Sequence, residues 1–294
     1  MIFSQRVSKV FAAVLVVCAV QVLFFVNSYA GVFDRENISF CAGIDYTSQY
    51  FSRGILYENE GLLIQPYVQA TTRLYEDCLG PVNSIDWTAG LWHSFNSNKT
   101  GADPASNIRS WYETDLYNWL SFQLWEKYTL ATAWHVWWSP SNAFSRGQTW
   151  RVKLSYDDSG LLGPWALQPH LMYLKETENE SDYGQGRGEY LEVGIAPGFT
   201  LIDRVINPVS ISFPVTVGFG LDDYYQDASG DDEAFGYVNA GVVLSMPLEG
   251  VSEKYGSWSV HAGLDFLYLG QNAESLNDGD EFEILAKAGL SVSF

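Results

Sequence analysis

His93 and Ser94 stand side by side in LWHSFNSN, the one place in the sequence where a histidine adjoins a hydroxyl residue. Nucleophilic catalysis needs such a base within hydrogen-bond reach of its nucleophile, usually with a third group to orient it. If this segment is extended, neighbouring side chains point to opposite faces, so His93 cannot serve Ser94. His135, His170 and His261 each stand alone. No glycine-rich phosphate loop follows a strand and opens a helix, and no His/Cys cluster has zinc spacing. The sequence therefore assigns no catalytic residue, no metal site and no cofactor, and reads as a non-enzyme.

Carboxylates are the most abundant reactive groups. There are 35 Asp and Glu against 16 Lys and Arg, for a formal net charge of −19. Phosphate neutralisation needs the opposite excess, so nucleic acid is not a partner. Six acidic residues, Asp222, Asp223, Asp227, Asp231, Asp232 and Glu233, crowd one stretch. Their oxygens suit Ca²⁺ or another cation, but their spacing is not that of an EF-hand, and a solvated charge run is the simpler reading.

The elements that carry these groups begin with residues 1–30, which read as a cleaved secretory signal peptide. Arg6 and Lys9 precede the apolar run VFAAVLVVCAVQVLFFV, and Ser28-Tyr29-Ala30 supplies small residues for cleavage. A retained membrane helix is the alternative for such a run. Cys41 and Cys78 then remain in a chain that has left the cytoplasm. They read either as a disulfide pinning the first hairpin or as two free thiols, and no C-x-x-C pair suggests redox chemistry.

Residues 31–294 form one domain. From residue 38 the sequence divides into twelve segments, 38–50, 60–76, 84–96, 110–122, 127–138, 147–157, 165–175, 189–201, 208–221, 235–247, 257–269 and 281–294. In WSVHAGLDFLYLG, Trp258, Val260, Ala262, Leu264, Phe266 and Tyr268 oppose His261 and Asp265. In EFEILAKAGLSVSF, Phe282, Ile284, Ala286, Ala288, Leu290, Val292 and Phe294 oppose Glu283, Lys287, Ser291 and Ser293. Period two over such lengths means strands. Many residues opposite the apolar side are small or hydrogen-bonding, which suits a wet interior and a lipid-facing exterior, and a sheet spans hydrocarbon only when closed.

The expected fold is all-β: an antiparallel transmembrane β-barrel of about twelve strands in the outer membrane of a double-membraned bacterium. Connections after odd-numbered segments, such as NSNKTGADPASN and DDYYQDASGDDEAFG, are generally longer than those after even-numbered ones, such as WEK. That alternation places both termini in the periplasm. Trp111, Trp137, Trp138, Trp150, Trp165 and Tyr268 near segment ends suit the headgroup boundary. Phe294, ending an alternating strand, reads as the signal for the barrel-assembly machinery. Periplasmic chaperones and outer-membrane lipids are the other expected partners, and the oligomeric state is open.

Alternation also drafts the lumen. Gln65, Gln69 and Arg73 share one stripe, and Glu113, Asp115 and Tyr117 another. Lys127 and His135 follow, then Arg151, Lys153 and Asp157, then His170 and Glu192, and finally His261, Asp265 and Lys287. Both signs line such a channel, where they either select polar solutes or form ion pairs that hold the wall in shape.

The run SQYFSRGILYENEGLLIQPYVQATTRLYE, then WTAGLWHS and WYETDLYNW, resembles the TorF-like family of bacterial porins. The residues that carry it are Phe51 to Gly54, Gln65 and Pro66, Gly90 with Trp92, and Glu113, Asp115 and Tyr117, with a weaker echo in FPVTVGFGLDDYY. The resemblance implies a small outer-membrane porin; Cys41, Cys78 and the long acidic loops depart from the pattern. The expected function is passive diffusion of small polar solutes. The alternatives are a non-conducting structural or surface-binding barrel and, behind it, an outer-membrane lipid hydrolase.

Overall fold

The computed structural model describes residues 37–98, 111–179, 186–227 and 229–294. The expected signal peptide lies outside the described residues. Sixteen strands are formed among the described residues: β1 (Ile38–Thr47), β2 (Tyr50–Ser52), β3 (Ile55–Glu58), β4 (Leu63–Glu76), β5 (Val82–Asn96), β6 (Trp111–Leu124), β7 (Tyr128–Trp138) and β8 (Gly147–Tyr156) come first. They are followed by β9 (His170–Glu178), β10 (Glu189–Ile195), β11 (Gly198–Ile202), β12 (Val209–Ser212), β13 (Val215–Asp222), β14 (Phe235–Pro247), β15 (Ser257–Leu269) and β16 (Phe282–Ser293).

Apart from the β2–β3 hairpin, all belong to one antiparallel sheet that returns on itself, with β16 paired to β1 and β14 paired to β15. Two strands are interrupted. β10 continues into β11 across Ala196-Pro197, and β12 into β13 across Phe213-Pro214, where proline offers no ladder donor. The carbonyls there are still used: Phe213 N–H donates to Pro197 O (2.8 Å) and Gly241 N–H to Pro214 O (2.7 Å). With each interrupted strand counted once, the sheet is a closed twelve-strand barrel. Closure leaves no edge, the condition for a sheet in hydrocarbon.

The register fixes two faces. Trp134 lies opposite Trp150, Leu130 opposite Leu154, Leu264 opposite Ala286 and Phe266 opposite Ile284. The large apolar members of this face are exposed, with Leu264 at 44%, Ile284 at 51% and Trp134 at 58%. Such a belt around a closed sheet is unfavourable in water and well solvated by lipid tails. The protein is an integral outer-membrane β-barrel, and lipid surrounds this face. Residues of the opposite parity point inward and pair with one another.

The observed strands follow the twelve expected segments with three differences. Trp165 ends a 3-10 turn (Gly163–Trp165), residues 166–169 are loop, and the strand starts at His170. Gly163, Pro164 and Pro169 interrupt extension there, and the Asp158 carboxylate accepts the N–H groups of Leu167 (3.0 Å) and Gln168 (2.9 Å). Secondly, the connection after β1 is itself a hairpin. Thirdly, Cys41 and Cys78 are not bonded. Cys41 pairs with Gln69, and β4 runs on from Gln69 to Glu76 before the turn that carries Cys78, roughly 20 Å of strand against the 7 Å limit for a disulfide.

Candidate functional site: the occupied lumen

Ser48 still belongs to the wall, exchanging hydrogen bonds with Ala286 at 2.8 and 2.9 Å. The chain then turns inward. Tyr50–Ser52 and Ile55–Glu58 pair as β2 and β3 around a two-residue turn in which Arg53 (φ 52°) and Gly54 (φ 80°) are both left-handed. This is the turn that matches strand twist, and glycine suits its second position. A Cβ on Gly54 would come within 3.0 Å of the Tyr237 side chain.

The hairpin crosses the bore. On one side Tyr50 donates its hydroxyl to Glu113 Oε2 (3.0 Å) on β6, and its ring lies 5.4 Å from Trp92 on β5. On the other side Ile55, 1% exposed, packs among Leu174, Tyr190, Tyr237, Leu267, Leu269 and Leu285. These are inward residues of β9, β10, β14, β15 and β16.

The tip is held from the connection between β13 and β14. Arg53 Nε donates to the Tyr224 hydroxyl, and the Tyr225 hydroxyl donates to the Arg53 carbonyl at 2.6 Å. Both tyrosines are buried. Beneath them the Tyr190 and Tyr237 hydroxyls are 3.0 Å apart, and Tyr190 donates to Glu192 Oε2 (3.0 Å).

The acidic run builds this clamp. Asp227 Oδ1 accepts the N–H groups of Ser229 (2.7 Å) and Asp231 (3.0 Å), which folds the loop on itself. Glu233 accepts the N–H groups of Gln271 (3.0 Å) and Asn272 (2.6 Å), tying it to the short helix α1 (Gln271–Ser275). Oxygens of Asp222, Asp223 and Asp232 converge within 4.8 Å of one another. The run is thus an ordered anchor rather than a free charged segment.

Between the hairpin and the β6–β8 wall lies a cavity of about 30 Å³, enough for about one water. Glu113, Asp115, His135 and Arg151 line its wall side, and Tyr50 and Arg53 its hairpin side. Asp115 Oδ2 and His135 Nε2 are 2.8 Å apart. Arg53 on the hairpin faces the carboxyl groups of Glu113 and Asp115 on the wall, so acidic and basic groups line the gap from opposite sides.

The remaining lumen candidates form pairs along the wall. Tyr117 donates to Gln69 (3.1 Å), and its ring lies over Gly90, where a Cβ would approach it to 2.3 Å. His170 meets Glu192 at 3.1 Å, His261 meets Asp45 at 3.3 Å, and Lys287 meets Asp265 at 2.7 Å. Gln65 and Lys153 face inward by register. Arg73 pairs with Asp86 and Glu76 at the barrel end that carries Phe294.

Two candidates are not in the lumen wall. Lys127 is exposed in the tight turn after β6, and Asp157 lies past the end of β8. The hydroxyl and N–H of Ser159 hold the Asp157 carboxyl below its ordinary value. Trp137, expected as a membrane anchor, faces inward and covers Gly147. His93 and Ser94 lie on opposite faces: His93 Nδ1 is 2.9 Å from Thr114 Oγ1, while Ser94 donates to Asn96 (3.1 Å).

The sequence reading did not anticipate Tyr50, Ile55, Tyr190, Tyr224, Tyr225 or Tyr237 as lumen residues. The available signal was Tyr-Phe-Ser-Arg-Gly-Ile-Leu-Tyr, apolar residues on both sides of a two-residue turn.

No protein-family model matches the sequence, and no curated protein matches it. Among solved structures, an outer-membrane channel from Pseudomonas putida F1 aligns with 91% of this chain and 98% of its own at 11% identity, with a TM-score of 0.48. The β domain of the Bordetella autotransporter BrkA aligns with 87% of this chain and 98% of its own at 11% identity and a TM-score of 0.44. The outer membrane phospholipase A of Escherichia coli aligns with 86% of this chain and 92% of its own at 10% identity and a TM-score of 0.41. The assignment as a barrel stands on the strand pairing of the chain itself.

Proposed function

We propose that this barrel is an outer-membrane channel for small polar solutes whose bore is set by the β2–β3 hairpin. The observation that carries the reading is the gap between Glu113 and Asp115 on the wall and Arg53 on the hairpin. It has carboxyl groups on one side, a guanidinium on the other, and a volume of about 30 Å³. A gap of that size admits water and excludes solutes while the hairpin is docked, so conduction of anything larger requires Arg53 to leave Tyr224 and Tyr225. The finer form of the same proposal is a TorF-like porin with a leader cleaved after Ala30, periplasmic termini, and Phe294 as the mark read by the assembly machinery.

The second reading is a non-conducting barrel that presents folded acidic loops. Its support is the apolar packing of Ile55, which seals one side of the lumen. Planar-bilayer recording separates the two. The intact mature chain should give small or rare steps, and a variant with residues 50–58 replaced by a short glycine-serine linker should give large, frequent ones. A linker variant that folds, inserts and stays silent would overturn the channel reading in favour of the closed barrel.

A further inference from the structure

Outside the lumen, one groove on the lipid-facing wall joins aromatic surface to a cation that is unpaired among the described residues. Trp134 and Trp150 face outward opposite each other on β7 and β8. The register between β8 and β9 shifts at Gln148/Thr149, pairing Gln148 with Glu178. The extra residue carries Glu178 onto the outer face, as bulges re-aim side chains. A cavity of about 520 Å³ opens between Trp134, Trp150, Thr177, Glu178 and Arg187.

The charges in this groove are unequal. Glu178 is already satisfied: Arg146 Nη2 reaches its two oxygens at 2.7 and 2.9 Å, and Gln148 donates to it as well. Arg187 is exposed, and no hydrogen bond or ion pair engages it among the described residues. The Trp150 indole N–H is taken by Thr132 Oγ1 (2.9 Å), which leaves the ring face for apolar contact. Vertical order matters too. Arg187 sits two residues before Glu189 at the barrel end of the longer connections, and Glu189 is level with Trp150 through Lys175, so Trp150 lies roughly 7 Å deeper.

We propose that this groove holds an outer-leaflet lipid bearing a net-anionic phosphate monoester, with that phosphate on Arg187 and acyl chain along Trp134 and Trp150. A planar guanidinium suits phosphate oxygens, and indole faces at the membrane boundary suit the upper acyl chain. In a chain of net charge −19, a free anion is repelled from the surface, whereas a lipid is delivered by the membrane and held by its tails. The inference rests on the orientation proposed above, but its readout is lipid retention and is independent of conductance.

The test uses the refolded mature chain in maltoside micelles, with lipid A as the probe and native mass spectrometry as the readout. One lipid A per barrel should be retained in preference to phosphatidylcholine. Arg187→Gln should weaken retention about tenfold, the loss of one charge-assisted contact, while Arg187→Lys should keep most of it. Trp150→Ala should weaken lipid A and its dephosphorylated form alike. For dephosphorylated lipid A, the wild-type chain and Arg187→Gln should not differ. Equal retention of lipid A by wild type and Arg187→Gln, equal retention of phosphatidylcholine, or full displacement by inorganic phosphate would overturn the assignment. Heat-modifiable gel mobility verifies that each variant is folded.

Discussion

Arg53→Ala tests the docked hairpin most directly. The substitution removes the Nε–H donated to Tyr224 but keeps the backbone carbonyl that accepts from Tyr225 at 2.6 Å. The clamp loses one hydrogen bond from a charged donor to a buried hydroxyl, about 2 kcal/mol, which by itself raises the undocked-to-docked ratio about thirtyfold. The apolar packing of Ile55 remains, so the hairpin should still dock most of the time. In planar-bilayer recordings the variant should open roughly thirtyfold more often than wild type. Arg53→Lys should fall between them, because an ammonium supplies the charge without the planar fork. Unchanged opening frequency in a folded Arg53→Ala barrel would refute the view that the tyrosine clamp holds the constriction.

Three further outcomes follow from the same structure. The folded chain should show the same mobility with and without reductant, and a bulky thiol reagent should label the exposed Cys78; a reductant-dependent shift would reinstate the Cys41–Cys78 bond. Leu264→Arg places a charge in the apolar belt and should cost about 2–4 kcal/mol in a urea refolding titration into vesicles; no measurable cost would contradict the assignment of that face to lipid. Asp158→Ala withdraws the acceptor for Leu167 and Gln168, so limited proteolysis should cut within residues 159–168 faster while barrel melting stays unchanged. A loop that stays resistant would show that its other contacts suffice.

The barrel was legible because period two is a local property. Trp258 to Tyr268 and Phe282 to Phe294 announce their faces without reference to any partner, and the pairing of Leu264 with Ala286 then follows from those faces. The same parity placed Asp115, His135, Arg151 and Lys287 inside. It misplaced Lys127 and Asp157 because parity does not mark where a strand starts or stops. The turn at Trp125 (φ 48°) and Glu126 (φ 63°) still holds Lys127, since β7 begins at Tyr128, and β8 ends at Tyr156. Of the two readings of Cys41 and Cys78, the bonded one assumed that β1 and β4 end level, whereas β4 runs on from Thr72, the partner of Ile38, to Glu76 before Cys78 is reached.

The hairpin was harder to read, and the reason is physical. An inward residue obeys the same alternation whether it meets water or another part of the chain, so the pattern of the wall does not declare what fills it. Composition does so in part. Glu192, His261, Asp265 and Lys287 are polar inward residues, whereas Leu174, Leu267, Leu269 and Leu285 hold inward positions on β9, β15 and β16. Four leucines facing a water-filled bore would be unfavourable, at about 1.5–3 kcal/mol for each side chain left exposed. Their presence therefore requires an apolar occupant, and Phe51, Ile55 and Tyr57 are what the chain supplies. Arg53 then serves two surfaces: the clamp of Tyr224 and Tyr225 fixes where the hairpin stops, and its charge completes the gap opposite Glu113 and Asp115. A channel built this way is sealed by packing on one side and by charge on the other, so loosening the clamp and neutralising the gap should have separable effects on opening frequency and on ion selectivity.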